Sequence, residues 1–291
     1  MTWLTYAFAS AVLLSASALI EKKILQRVHS IDFSAGLALS NFVFSIPFLF
    51  FIDWSLITRL TLSLIFITAL LASFAFLLLT KGIRHLEIST VSPLLSLSPG
   101  STAILAFIVL GETLSRLQIG GILLMIVGSY VLATHKEKSV LKPFQQFVSS
   151  RYIHFVLLSL LFYSMGAIFD RAILFNFHVA LPVYIFFVHL FIALLFIPLA
   201  SVYGNGLKGV VSGFKTSGPS IVLASLLTVG YRYFQMEALQ LASVGLVSGV
   251  KRSSSFFTTL IGGELFHEHN LKRKLIASAI ILLGIFCIIY T

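Results

Sequence analysis

Two adjacent cations, Lys251 and Arg252, lie near the middle of an apolar stretch spanning about residues 241–263, and a third, Arg232, lies in the apolar stretch before it. A cation at the centre of a bilayer-spanning helix costs about 2.5–3.5 kcal/mol on the insertion scale, so a charge held there is a functional candidate by default. The chemistry this trio offers is anion recognition. Arginine presents a bidentate fork, and lysine a compact point charge, to a carboxylate or phosphate. None of the ten acidic residues is expected at the depth of the pair. The structural alternative is that the pair braces helix ends or a broken backbone, with Asp170, Glu237 or Glu264 folding back as partners. Tyr163 and Tyr231 (with Tyr233) would line a cavity with amphipathic rings or anchor at the interface. His189, near the middle of its own stretch, has an unperturbed pKa suited to proton exchange, although hydrogen-bonded packing is the commoner use of such a residue.

The elements that must position these groups follow from composition. Hydrophobic residues make up 58% of the 291 positions and charged residues 10%, against about 45–50% and about 25% for a soluble domain. Apolar runs over 3–20, 33–52, 60–80, 88–110, 117–134, 152–174, 180–203, 218–236, 241–263 and 271–290 predict ten transmembrane helices. Ten spans need roughly 200 residues, which leaves only short loops. The net charge of +10 reflects scarce acids; basic loops beside anionic lipid account for it, and nucleic acid is excluded as a partner. The only cysteine, Cys287, rules out an intrachain disulfide. The first apolar run lacks the basic n-region of a signal peptide, so it is expected to be a retained span.

The chain also repeats itself. Ser15-Ala16-Ser17-Ala18-Leu19-Ile20-Glu21-Lys22-Lys23-Ile24-Leu25 aligns without gaps on Ser164-Met165-Gly166-Ala167-Ile168-Phe169-Asp170-Arg171-Ala172-Ile173-Leu174, at an offset of 149. Further on the offset is 156, pairing Lys81 with Glu237, Glu112 with Glu268 and Gly128 with Gly284. Two blocks in the same order predict a duplicated five-helix unit: residues 1–134, a polar linker 135–151, and residues 152–291. An odd span count inverts the second copy, the architecture of alternating-access transporters with a midplane site between halves. Where the copies differ, the site is expected. Lys251 stands where the first copy has Leu95, Arg252 where it has Ser96, and Arg232 where it has Phe76. His189 aligns with Ser40, beside Asn41, and Asn41 joins the candidate substrate-binding residues. Pro93 and Pro99 face Gly249 and Ser255, which places the fourth and ninth spans at the cavity wall. Pro47 and Pro198 mark further kinks, and Gly245 with Gly249, Gly120-Gly121 and Gly128 mark close helix approach.

Gly82-Ile83-Arg84 through Pro99 to Leu110-Gly111-Glu112-Thr113-Leu114, then Gln118 and Gly121, resembles the EamA repeat of the drug/metabolite transporter superfamily. Lys251-Arg252-Ser253 with Phe256-Phe257, Gly262 and Phe266-His267-Glu268 resembles the second EamA repeat. The resemblance implies ten helices in two inverted halves around a central cavity, and a multi-pass protein of the plasma (inner) membrane that moves small metabolites, amino acids or nucleotide-sugar-like solutes. It differs from the four-helix multidrug exporters of the same superfamily in having no carboxylate before Glu21 in the first span.

No ATPase motif, catalytic triad or cofactor motif is present, so the expectation is a secondary transporter, not an enzyme. His267-Glu268-His269 lacks the helical spacing of a zinc site. The rival readings are a translocator subunit for lipid-linked sugars and a membrane enzyme acting on lipid phosphates. Counted from the N-terminus, the odd loops hold most of the lysines and arginines, which by charge bias puts them in the cytoplasm and both termini outside. The family resemblance implies cytoplasmic termini instead. Substrate identity, coupling ion and oligomeric state are open at this point.

Overall fold

A computed structural model describes residues 2–54, 57–95, 97–110, 115–133, 150–242 and 244–289. Nearly all of the expected linker and the Gly111–Leu114 motif lie outside the described residues. The chain forms α1 (Trp3–Leu25), α2 (Ser30–Ser45) with a 3₁₀ extension (Ile46–Phe51), α3 (Arg59–His85), α4 (Ile88–Leu95), α5 (Ser98–Leu110) and α6 (Arg116–Ala133). The later part forms α7 (Arg151–Arg171) with a π-helical turn (Ala172–Asn176), α8 (Leu181–Tyr203), α9 (Gly206–Leu241), α10 (Val244–Arg252), α11 (Ser254–Leu265) and α12 (Leu271–Ile289). No strand occurs among the described residues. Six segments, Trp3–Leu25, Ser30–Phe51, Arg59–His85, Arg151–Asn176, Leu181–Tyr203 and Gly206–Leu241, are long and apolar enough to cross a membrane. The protein is an all-helical, multi-pass integral membrane protein.

The helices differ from the sequence expectation where charge was read as an end. α1 continues through Glu21-Lys22-Lys23 to Leu25 because Glu21 and Lys22 are buried against protein. α9 begins at Gly206, well before residue 218, and bends at Ser217 (φ −143°, ψ 24°) just ahead of Pro219, whose ring disfavours regular helix upstream. The fourth and ninth apolar stretches are each broken in two, α4 from α5 and α10 from α11.

The two parts of the chain interlock. α6 lies along α12, α1 along α9 and α3 along α7. The α6–α12 contact is close because each helix presents a glycine to the other's backbone. A Cβ on Gly284 would stand 2.6 Å from the Gly121 carbonyl oxygen and 3.0 Å from the Met125 nitrogen. A Cβ on Gly128 would meet Ile281 Cγ1 at 2.6 Å and the Ala277 carbonyl oxygen at 3.0 Å.

Polar side chains brace the helix ends. Lys22 Nζ donates to the carbonyls of Ile83 and Leu86 at 2.8 and 2.7 Å, closing the end of α3. Its repeat counterpart Arg171 donates to the carbonyl of Leu239, the counterpart of Ile83, near the end of α9. Arg84 and Arg273 donate to the carbonyls of Val28 and Val131 at 2.7 and 2.9 Å. Glu268 accepts from the amides of Ile88 and Ser89 at 2.8 and 3.0 Å and from the Ser89 hydroxyl, so it caps α4. Lys274, 3.7 Å from Glu268, also donates to Glu87 and to Ser89 Oγ. The His267-Glu268-His269 cluster is therefore built around a helix cap, and no metal-binding group occurs among the described residues.

Two outcomes test this frame. Gly284→Leu should destabilise the protein by about 1–3 kcal/mol through overpacking against backbone that cannot yield, read as a lowered thermal midpoint with Gly120→Ala as the control; a Cβ on Gly120 meets nothing within 4 Å. Burial alone pushes the Glu87 carboxyl up, but its contacts with Lys274 and His269 outweigh this and hold it below its ordinary value of 4.5. A depressed folded-state value means the contribution is present at neutral pH and is lost as pH falls through that value. The midpoint gap between the parent and Glu87→Gln, small because the side chain is partly exposed, should be present at neutral pH and close as pH falls through the depressed value.

Candidate functional site

The breaks in the fourth and ninth stretches lie at one central cavity. Leu95 and Ser98 flank the first break, Arg252 and Ser254 the second, and all four line it. A break frees backbone groups that hydrocarbon cannot satisfy, so it is tolerated where protein or a water-filled space covers it. Walls from α1, α3, α7 and α9 complete a space of about 1210 Å³, open mouth included.

The second part of the chain supplies the cations. Lys251 Nζ donates to Gln235 Oε1 at 2.5 Å and lies 5.0 Å from the centre of the Tyr231 ring. Arg252 Nε donates to Ser98 Oγ at 2.7 Å, across the interface with α5. Neither residue makes an ion pair among the described residues. Arg232 stands 3.9 Å from Asp170, and Tyr184 ties the two together: its hydroxyl donates to Asp170 at 2.5 Å and accepts from Arg232 at 3.4 Å. Tyr184 belongs to a buried apolar cluster that includes Ala7, Ile65, Ile173, Leu239 and Val247.

The first part of the chain contributes a different wall. The positions equivalent to Arg232, Gln235 and Lys251 are Phe76, Leu79 and Leu95, and all three line the cavity. The one carboxylate on this wall is Glu21, which is 7% exposed and accepts from Ser17 Oγ at 2.9 Å. Only two buried side-chain polar atoms among the described residues lack a hydrogen-bond partner, Thr68 Oγ1 and Ser255 Oγ, and both residues line the cavity. Buried polar atoms are rarely left unpaired, and where they are, they point to a place that receives solvent or ligand.

Of the seven residues singled out from sequence, the structure brings five together at the cavity: Lys251, Arg252, Arg232, Tyr163 and Tyr231. The other two lie elsewhere. His189 is buried on α8 and donates from Nδ1 to the Ile185 carbonyl at 2.8 Å, within its own helix. Asn41, buried on α2, accepts from Ser225 Oγ at 2.7 Å at the contact with α9. Two acids outside the candidate set, Asp170 and Glu21, also line it, and Asp170, one of the acids expected to fold back on the cations, meets Arg232. Each lies near the end of its apolar run and is followed by a base, where a charge normally leaves the hydrocarbon. The signal that would have found them is their pairing in the repeat, at the offset of 149.

Residues 1–134 match the sequence profile of the EamA-like transporter family, which belongs to the drug/metabolite transporter superfamily. No curated protein matches the chain in sequence. A solved crystal structure superposes on 98% of this chain and 95% of its own, with a TM-score of 0.69 and 15% identity. That likeness concerns the fold alone.

The buried pair can be tested directly. Asp170→Asn leaves Arg232 without its carboxylate and should cost about 3 kcal/mol of stability, as breaking a buried pair does. Asp170→Asn combined with Arg232→Met should recover part of that loss, measured as a double-mutant cycle of unfolding free energies.

Proposed function

We propose that this chain, which through residues 1–134 belongs to the EamA-like transporter family, is a secondary transporter of a small metabolite bearing an anionic group, working by alternating access in the plasma (inner) membrane. The observation that carries this reading is the pair Lys251 and Arg252, held at a central cavity by Gln235, Tyr231 and Ser98 with no carboxylate partner among the described residues. Buried cations cost several kcal/mol each unless charge or hydrogen bonds compensate them, and a substrate anion would do so. The orphan hydroxyls of Thr68 and Ser255 support a ligand in the same space.

The architecture we propose is ten spans in two inverted five-helix halves, with α4–α5 and α10–α11 as the two broken spans. Reciprocal packing supports it. α1 on α9 has its counterpart in α7 on α3, α2 on α9 in α8 on α3, and α6 meets α12 as its own partner. The matched bonds of Lys22 and Arg171 support it independently. Rocking one half against the other would open the cavity to alternate sides of the membrane. Family members are transporters rather than enzymes, and we read this chain likewise as moving its substrate chemically unchanged.

Thermal stability of the purified protein against matched anionic, zwitterionic and cationic metabolites tests the reading. A ligand at 100 times its Kd should stabilise the fold by about 2.7 kcal/mol. Stabilisation by anions should disappear in Lys251→Met and Arg252→Met, whose unliganded midpoints should stay near that of the parent. Stabilisation by cationic or neutral solutes alone would return the pair to a bracing role.

A further inference from the structure

The cavity has two electrical ends. Lys251 and Arg252 form the positive one. The negative one is Glu21, which makes no ion pair among the described residues and there accepts a hydrogen bond from the Ser17 hydroxyl. Its neighbour Lys22 does not serve it, being turned to the carbonyls of Ile83 and Leu86. The repeat makes the difference clear. In the second copy the equivalent acid, Asp170, has Arg232 as partner; in the first, the position of Arg232 is held by Phe76, and Glu21 has no cationic partner among the described residues. The acid persists while its cation does not.

The spacing of the two ends follows from α1 and α9, which run antiparallel: Ser10 Oγ donates to the Tyr231 carbonyl at 3.0 Å and Ser17 Oγ to the Ala224 carbonyl at 3.4 Å. Ser17, which holds Glu21, is also 3.1 Å from Thr228 Oγ1, whereas Lys251 is held by Gln235. Seven residues of helix separate Thr228 from Gln235, a rise of roughly 10 Å along α9 between the side chains that anchor the two ends. Phe76, Leu79 and Leu95 give the first half's wall an apolar part.

Building on the anion reading above, we propose that the substrate is an elongated dipolar solute, its anionic group at Lys251 and Arg252, its apolar body along Phe76, Leu79 and Leu95, and a protonated amine at Glu21. An α-amino acid does not meet this geometry, because its ammonium and carboxylate groups are attached to the same carbon. A chain of several methylenes between carboxylate and amine does.

The test is equilibrium binding to the purified full-length protein of three matched series, from butanoate to octanoate: the plain acids, the ω-amino acids and the α-amino acids. One chain length of the ω-amino series should bind roughly tenfold tighter than its plain acid, worth about 1.4 kcal/mol, and the α-amino series should gain nothing. Glu21→Gln should abolish the ω-amine gain, with its unliganded thermal midpoint showing that the variant is folded. No ω-amine gain at any length, or a gain that survives in Glu21→Gln, overturns the inference while the anion site stands. Plain acids that fail to bind the parent, or bind equally well to Lys251→Met, overturn the anion reading and this inference with it.

Discussion

Hydrocarbon offers no hydrogen bond, so every polar group the chain carries into the bilayer must find its partner in protein, in water or in a ligand, and most features of this structure answer that requirement. The side chains that answer it are often charged. Lys22 and Arg171 close the ends of α3 and α9, Arg84 and Arg273 serve the carbonyls of Val28 and Val131, and Glu268 caps α4. These bonds tie one helix to another instead of satisfying a helix from within, so they also fix how the elements stand against each other. They bear on the loop charge bias as well. Lys22, Arg84, Arg273 and Lys274 belong to the basic odd loops, yet each is committed to a carbonyl or carboxylate of the protein. A positive-inside count assumes bases free to meet lipid and potential, and here part of the bias has a structural cause.

The same requirement explains where the site is. A continuous helix satisfies itself; a broken one does not, and α4–α5 and α10–α11 break where a cavity covers the gap. Around that cavity the two copies of the repeat have diverged. The second holds Arg232, Gln235 and Lys251, and the first holds Phe76, Leu79 and Leu95 at the matching places. In the two-half architecture we propose, a symmetric frame would enclose an asymmetric lining, as a substrate with unlike ends requires.

The sequence by itself determined a membrane-embedded all-helical chain, the positions of its apolar segments, and the family resemblance in its first part. Composition and run length carry that information, because burying about 20 apolar residues in a row is a local property. It also picked out Lys251, Arg252 and Arg232, since a charge amid apolar residues is visible without a fold. Tertiary structure alone decided which charges are partnered. Asp170 and Glu21 lie near the ends of their apolar runs, and only the packing of α1 and α7 shows them lining the cavity. His189 and Asn41 looked like midplane polar groups with a task, and only the surrounding helices show them satisfied by Ile185 and Ser225. A hydrogen bond joining positions 184 residues apart, as Ser225 and Asn41 are, leaves no trace in local pattern. Hydrophobicity is written residue by residue, while the satisfaction of a polar group is written between residues, and only the fold brings those together.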